Sequence, residues 1–266
     1  MSPQSPDTRY LRPPGRRSFG LVPLRLARGI ALTAALGFFA GEARAEPKAV
    51  IELFTSQGCS SCPAADKLLG ELSNDPSIIA LSLPIDYWDY LGWKDTLAKP
   101  KHTARQKGYG HTRGDRELYT PQVVVNGALQ VLGSDRGAID AAIKRTHKQG
   151  HTLMLPVTIT SNTEQVQVTV GASKEPGASG EVWLCALTKA VPVQIGRGEN
   201  RGKTIAYHNV VRRWVKLGHW LGATKTWMVP ISQFEEDGSN AVTVLVQNGT
   251  VDKPGPILGA ALASLR

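Results

Sequence analysis

The chain has 266 residues, 41% of them apolar and 20% charged, which suits one large domain or two ordinary ones and argues against extended disorder. Its formal charge of +9 does not mark a nucleic-acid binder. Seven Lys/Arg and two Asp/Glu fall in the first 45 residues, leaving 24 basic and 20 acidic residues, with no basic helix or aromatic-interleaved basic patch among them.

Residues 1–45 read as an export signal. Arg25 and Arg28 precede an apolar stretch, Gly29 to Gly41, and Ala43-Arg44-Ala45 supplies a small-x-small cleavage pattern before Glu46. A membrane-spanning helix needs about twenty apolar residues, so no retained anchor is expected and the mature protein is read as periplasmic or secreted. Arg16-Arg17-Ser18-Phe19 resembles a twin-arginine signal, but Arg25 and Arg28 separate it from the apolar run, which favours the ordinary Sec route. Either route leads to a compartment where disulfides persist.

Ala49 to Phe54 reads as a buried strand, and Pro63 to Leu72 as a helix with Ala65, Leu68, Leu69 and Leu72 on one face. Pro63 suits a first helical turn, where its missing N–H costs nothing. Ile78 to Ile85 is an apolar run of parallel-sheet type. The polar and aromatic stretch Asp86 to Asp95 leads to a helix over about 96–107, and Gly108, Gly110 and Gly114 mark a flexible loop. Gln122 to Val125 and Ala128 to Leu132 form a hairpin about Asn126-Gly127. Ser134 or Asp135 caps a last helix, with Ile139, Ala142 and Ile143 on its apolar face. Beyond Gly150, strand-like runs alternate with turns, at 154–160, 165–170, 181–188, 210–217, 226–231 and 242–247. The chain therefore reads as α/β: a thioredoxin-like core, β-α-β-α-β-β-α, over 46–150, then a β-rich, sandwich-like C-terminal domain over 151–266.

Cys59-Ser60-Ser61-Cys62 sits between the first strand and the first helix. Free N–H groups at a helix start carry partial positive charge and favour a thiolate, the species that attacks disulfides. In the thioredoxin mechanism Cys59, nearer the helix start and more exposed, attacks the substrate, and Cys62, about one turn in, resolves the mixed disulfide. Structural zinc usually wants a second pair of ligands; there is no second Cys-x-x-Cys, and Cys185 is isolated in an apolar run that reads as a buried strand thiol. Thr120-Pro121 starts the third strand, where a cis proline would turn the Thr120 backbone toward an extended substrate; a trans proline on an edge strand is the alternative. Glu52 is the one acid on an apolar strand. It reads either as a buried carboxyl relaying a proton for Cys62 or as a sheet-end residue reaching solvent or a lysine. Trp88, Tyr90 and Trp93 either line a substrate groove or pack the two domains together. His102 or His111 beside the two thiolates would suit Cu(I), against the plainer reading of lone surface histidines. Gly196 to Lys203 lacks the helix of a phosphate loop and reads as a mobile connection.

Phe54 to Pro63, Asp86 to Asp95, Tyr119 to Gly127, Gly196 to Gly202 and Tyr207 to Arg212 together resemble the exported thioredoxin-like proteins called the domain of unknown function 1223 family. The resemblance implies a thioredoxin-like domain with a β-rich extension and supplies no reaction. The wider superfamily implies Cys59 as nucleophile, Cys62 as resolving thiol and Pro121 as cis proline. The chain departs from that superfamily in Ser60-Ser61, where thioredoxin has Gly-Pro and strong oxidases have Pro-His. The expected function is an exported thiol–disulfide oxidoreductase of reductase or isomerase type, without a cofactor or a resident metal, acting on protein or peptide disulfides. The alternatives are a Cu(I)-handling protein on the same cysteines and an adaptor with a static disulfide.

Overall fold

The first strand decides which helix covers which face. In the computed structural model, which describes residues 46–234 and 238–265, β1 (Ala49–Thr55) is buried along its whole length. A strand's side chains alternate between faces. Ala49, Ile51 and Leu53 therefore pack with α1 (Cys62–Leu72) and α3 (Arg136–Gln149), while Val50 and Phe54 face a second core that includes Tyr109 of α2 (Pro100–Arg113). Strand β2 (Ile78–Pro84), apolar on both faces, pairs parallel with β1, as doubly covered strands do. Strands β3 (Gln122–Val125) and β4 (Leu129–Leu132) form the expected hairpin, with β3 antiparallel to β1. The elements thus run β-α-β-α-β-β-α up to Gln149, with a short 3-10 turn at Asp89–Leu91.

Residues 108–110 are helical rather than a loop. Pro100 starts α2 at a position where its fixed φ fits, and the helix runs through Gly108 and Gly110 to a left-handed cap at Gly114. A Cβ at Gly108 would lie 2.7 Å from the Pro254 ring, so the glycine reflects close packing rather than a hinge.

Beyond Gly150 the chain adds β5 (Val157–Ser161), β6 (Gln165–Val170), β7 (Gly180–Gln194), β8 (Thr204–Trp220), β9 (Lys225–Pro230), β10 (Ala241–Thr250) and β11 (Lys253–Ser264). The sheet does not break at Gly150. Its order is β11-β10-β7-β8-β2-β1-β3-β4, so four later strands extend the first sheet through the parallel contact Ser82–Val210 of β2 and β8. A separate three-stranded sheet, β5-β6-β9, packs its valines on those of β7 and β10, the sandwich-like element of this mixed α/β fold. The sequence reading places no strand over 253–264, where Pro254, Gly255, Pro256 and Gly259 fall; β11 forms because β10 supplies an antiparallel partner along its length.

Glu52 shares the Val50 and Phe54 face, so it meets α2 and lies across the sheet from the dithiol helix. Its carboxylate is fully buried and accepts from Arg105 Nε at 2.6 Å and Nη2 at 3.1 Å, and from the Tyr109 hydroxyl. Arg105 Nη2 also donates to Gln247 Oε1 of β10 at 2.9 Å, and its guanidinium lies 4.5 Å from the Trp214 ring centroid on β8. Neither the lysine partner nor the relay position read from the sequence is where the structure puts this carboxylate. Cys185 is a free, buried thiol on β7, which burial keeps well above the ordinary thiol range.

A buried charge left without its partner is expensive. Arg105→Met is expected to destabilise the protein by about 3–5 kcal/mol in urea unfolding, and Glu52→Leu combined with Arg105→Met to recover most of that loss. Equal stability of the single variant and the wild type would show that the pair does not hold the fold.

Candidate functional site

Cys59 and Cys62 form a disulfide across the turn between β1 and α1. Cys62 is the first residue of α1, not one turn in, and Pro63 follows it in the first turn. Cys59 is 3% exposed and Cys62 is closed to solvent, so the first cysteine is the more accessible by a narrow margin. Ser60 and Ser61 are exposed, and the Ser61 hydroxyl lies 3.4 Å from Cys59 Sγ. The N-cap residue Ser61 makes no side-chain cap bond.

The Thr120–Pro121 peptide bond is cis. Pro121 is buried, and a Cβ built at Gly133 would touch both Pro121 (3.1 Å) and Ala65 of α1 (3.3 Å), so the proline lies against the dithiol helix. Trp88 joins the two halves of the site: its Nε1 donates to Thr120 Oγ1 at 2.8 Å, and its Cβ lies 3.3 Å from a Cβ built at Gly58. Tyr90 is 77% exposed and stacks on Trp88 with centroids 6.3 Å apart, so this pair presents aromatic surface beside Thr120. Trp93 behaves differently. Its Nε1 donates to Gln57 Oε1 at 2.8 Å, and its ring packs against Gly196 and joins the cluster of Leu97, Ile195, Ile205 and Tyr207. Of the two roles read for these aromatics, Trp93 takes the packing one.

Three features missed by the sequence reading surround the turn: Asp66, Asp95 with the Tyr207 hydroxyl, and the β7–β8 connection. Asp66 lies one helical turn after Cys62 on the same buried face of α1. It is 2% exposed, and neither carboxyl oxygen has a hydrogen-bond partner of normal geometry among the described residues. Burial pushes it up to about 8, eased by the Thr55 hydroxyl and reinforced by the charge of Asp95. Asp95 Oδ2 accepts from the Gln57 N–H at 2.8 Å, and Oδ1 from Leu97 N; burial raises this carboxyl to about 6 against those bonds. The Tyr207 hydroxyl, also without a partner, is pushed up by burial and then by Asp66 and Asp95. Asp66 had a readable signal, an acid on an otherwise apolar helix stripe.

The third is the β7–β8 turn, whose residues Gly196 to Lys203 read from sequence as a mobile connection. Asn200 in that turn is fully buried, and its Nδ2 donates to the carbonyl oxygens of Gln57 at 3.0 Å and Cys59 at 2.8 Å. Glu199 Oε2 accepts from the Ser60 N–H at 3.2 Å. No local pattern announces contacts across some 140 residues.

His102 is buried on α2, bonded through Nδ1 to the Pro84 carbonyl, and burial lowers it to about 4; His111 is exposed near the end of α2. Among the described residues no group of three or more His, Cys, Asp or Glu side chains is placed to hold a metal ion. No helix among them is long and apolar enough to cross a membrane. The export signal read at 1–45 lies outside the described residues.

The family model described as "Protein of unknown function (DUF1223)" matches residues 50–247. A structural-genomics crystal structure of an Agrobacterium tumefaciens protein is 32% identical, covers 84% of this chain and 96% of its own, and superposes with a TM-score of 0.74. HBP35 of Porphyromonas gingivalis, at 14% identity and a TM-score of 0.57 over 83% of this chain and 76% of its own, is similar in fold alone. Among curated proteins none matches.

Asp66 ties stability to pH. Its folded-state value stands above its unfolded one, so the folded protein holds a proton that the unfolded chain releases between pH 4 and 8. The contribution is whole below pH 4 and is lost as pH rises to 8, by about 1.4 kcal/mol per pH unit at most. Urea unfolding of the wild type from pH 6.5 to 8, above the range in which Asp95 and His102 contribute, is expected to show a downward slope that Asp66→Asn removes. Parallel slopes for the two proteins would rule this out.

Proposed function

The chain belongs to the DUF1223 family, and on that premise we propose that it is a thiol–disulfide oxidoreductase of reductase or isomerase type acting on protein or peptide disulfides. The observation that carries the reading is the Cys59–Cys62 disulfide at the first turn of α1, with Thr120 and two stacked aromatics alongside. The element order up to Gln149 supports a thioredoxin-like core over 46–150, with the strands of 151–266 as an extension of its sheet. The small-x-small pattern ending at Ala45 supports export to the periplasm or beyond, where substrate disulfides exist.

The reaction starts from the dithiol. The Cys59 thiolate attacks one sulfur of the substrate disulfide, forming a mixed disulfide and expelling the second substrate sulfur as a thiolate, which takes up a proton. Cys62 then loses its proton and attacks Cys59 Sγ, which closes the protein disulfide and releases the first substrate sulfur as a thiol. Two electrons and two protons pass to the substrate, and an external dithiol reductant returns the protein to its starting state. Asp66, one turn beyond Cys62, takes the Cys62 proton, the role that the sequence reading assigned to Glu52. Raised to about 8, this carboxyl is ionised in only a minority of molecules at neutral pH, and in those it is basic enough to accept a thiol proton. The Thr120 backbone and the Trp88–Tyr90 surface receive the substrate chain.

Incubated with a disulfide-bonded peptide, reduced Cys62→Ser is expected to accumulate a mixed disulfide at Cys59, seen as a mass increase on an intact-mass spectrum, while Cys59→Ser accumulates none. In glutathione buffers of graded ratio the wild-type pair is expected to pass between disulfide and dithiol. A pair that never interconverts leaves a static cross-link and removes the enzyme reading.

A further inference from the structure

A thiolate at the start of a helix draws its stability from backbone N–H groups that have no other acceptor. Five of the N–H groups that lead into and open this helix already have acceptors. Gln57 N donates to Asp95 Oδ2 at 2.8 Å, Gly58 N to Ser56 Oγ at 3.1 Å and Cys59 N to Ser56 O at 3.2 Å. Ser60 N donates to Glu199 Oε2 at 3.2 Å and Cys62 N to Cys59 O at 3.2 Å. Two of the five acceptors are carboxylates.

Glu199 belongs to the tip of the long β7–β8 hairpin, and the tip is anchored. Asn200 spends both amide hydrogens on carbonyls of the dithiol turn, and its own Oδ1 accepts from Lys203 Nζ at 2.9 Å. Gly202 N closes the tip onto Ile195 O at 2.8 Å, and Arg201 N bonds Gly198 O at 3.1 Å. Trp93 braces it from below: a Cβ at Gly196 would stand 3.0 Å from the indole ring. The tip itself carries Arg197, Glu199, Arg201 and Lys203, and α1 and the stretch before α2 bring the carboxyls of Asp66, Asp89 and Asp95. The cation nearest in bonding terms, Lys203, sits on the far oxygen of the Asn200 amide, whereas Glu199 bonds the residue next to Cys59 directly.

We propose that Glu199, placed by Asn200, is a positioning residue that lowers the share of Cys59 present as the attacking thiolate and so makes the Cys59–Cys62 pair more reducing. A negative charge beside Cys59 destabilises the thiolate. A dithiol whose reduced form is less stable gives up its electrons more readily, the converse of strongly oxidising pairs whose reduced form is stabilised. The hairpin therefore does what the Ser60-Ser61 dipeptide cannot, since serines bring no charge to the turn. This inference deepens the oxidoreductase reading and rests on it.

The test is redox equilibration of the full chain with glutathione: protein disulfide and two glutathione thiols exchange with protein dithiol and glutathione disulfide. Glu199→Gln keeps the hydrogen-bond acceptor and removes the charge. It is expected to move the equilibrium about threefold toward the dithiol, a rise of about 14 mV for this two-electron couple, and to shift the pH profile of Cys59 alkylation by iodoacetamide to lower pH. Asn200→Ala should shift both in the same direction, and Glu175→Gln, an exposed acid on a distant turn, neither. Raising salt should narrow the gap between wild type and Glu199→Gln, because an exposed charge is screened. Interconversion with the same constant in wild type and Glu199→Gln overturns this inference and leaves the oxidoreductase reading standing. No interconversion in any of the proteins overturns both. Glu199 is exposed, so its variant reports even if Asn200→Ala fails to fold.

Discussion

The Glu52–Arg105 pair is the constraint around which the rest is arranged. It takes two charges out of water, which costs several kcal/mol per ion unless hydrogen bonds replace the lost hydration. Here they do: the carboxylate accepts two guanidinium bonds and the Tyr109 hydroxyl, and the guanidinium continues to Gln247 and lies over Trp214. These partners come from β1, α2, β10 and β8. A bidentate pair has a demanding geometry, so satisfying it sets α2 against the sheet and aligns the later strands with the earlier ones. The single parallel contact of β2 with β8 is a thin seam for so large a sheet; the buried polar network and the apolar cluster around it cross that seam.

Continuity of the sheet has a chemical consequence. Because β7 and β8 are long and run on past their partners in the sheet, their connecting turn arrives over the dithiol turn. Four parts of the chain meet there: the end of β1, the start of α1, the stretch between β2 and α2, and the β7–β8 tip. Gln57 shows the convergence in one residue, with its N–H on Asp95, its carbonyl on Asn200 and its side-chain oxygen on Trp93. The site is electrostatically costly as well as crowded. Asp66 and Asp95 are buried carboxyls held above their ordinary range by desolvation, and groups of that kind concentrate where proton transfer is needed.

Elements with strong local patterning were legible in advance. The strand at Ala49, the α1 stripe, the apolar run of β2, the Asn126-Gly127 hairpin and the capped α3 were placed within a few residues of where they lie. Misreadings came where a partner distant in sequence decided the outcome. Gly108 and Gly110 look like loop residues until Pro254 is seen packed against the helix. Strand β11, rich in Pro and Gly, has little intrinsic strand character and forms because β10 pairs with it. The tip residues Gly196 to Lys203 look mobile because nothing nearby in sequence bonds them. Glu52 was singled out correctly as anomalous, but a strand's alternation says only that it shares a face with Val50 and Phe54. Which helix covers that face is a matter of chain topology.

The sequence alone determined the two cysteines, their place between a strand and a helix, the proline before β3 and the sequential order of the first seven elements, because each depends on residue spacing and local backbone preference. Only the tertiary structure decided that Glu52 serves the core while Asp66 lies buried on α1 one turn beyond Cys62, that the later strands continue the first sheet, and that Asp95, Glu199 and Asn200 close around Cys59. Those outcomes depend on which donors find which acceptors across tens of residues to more than a hundred, and that pairing is set when burial drives most polar groups to find a partner, not by the order of residues along the chain.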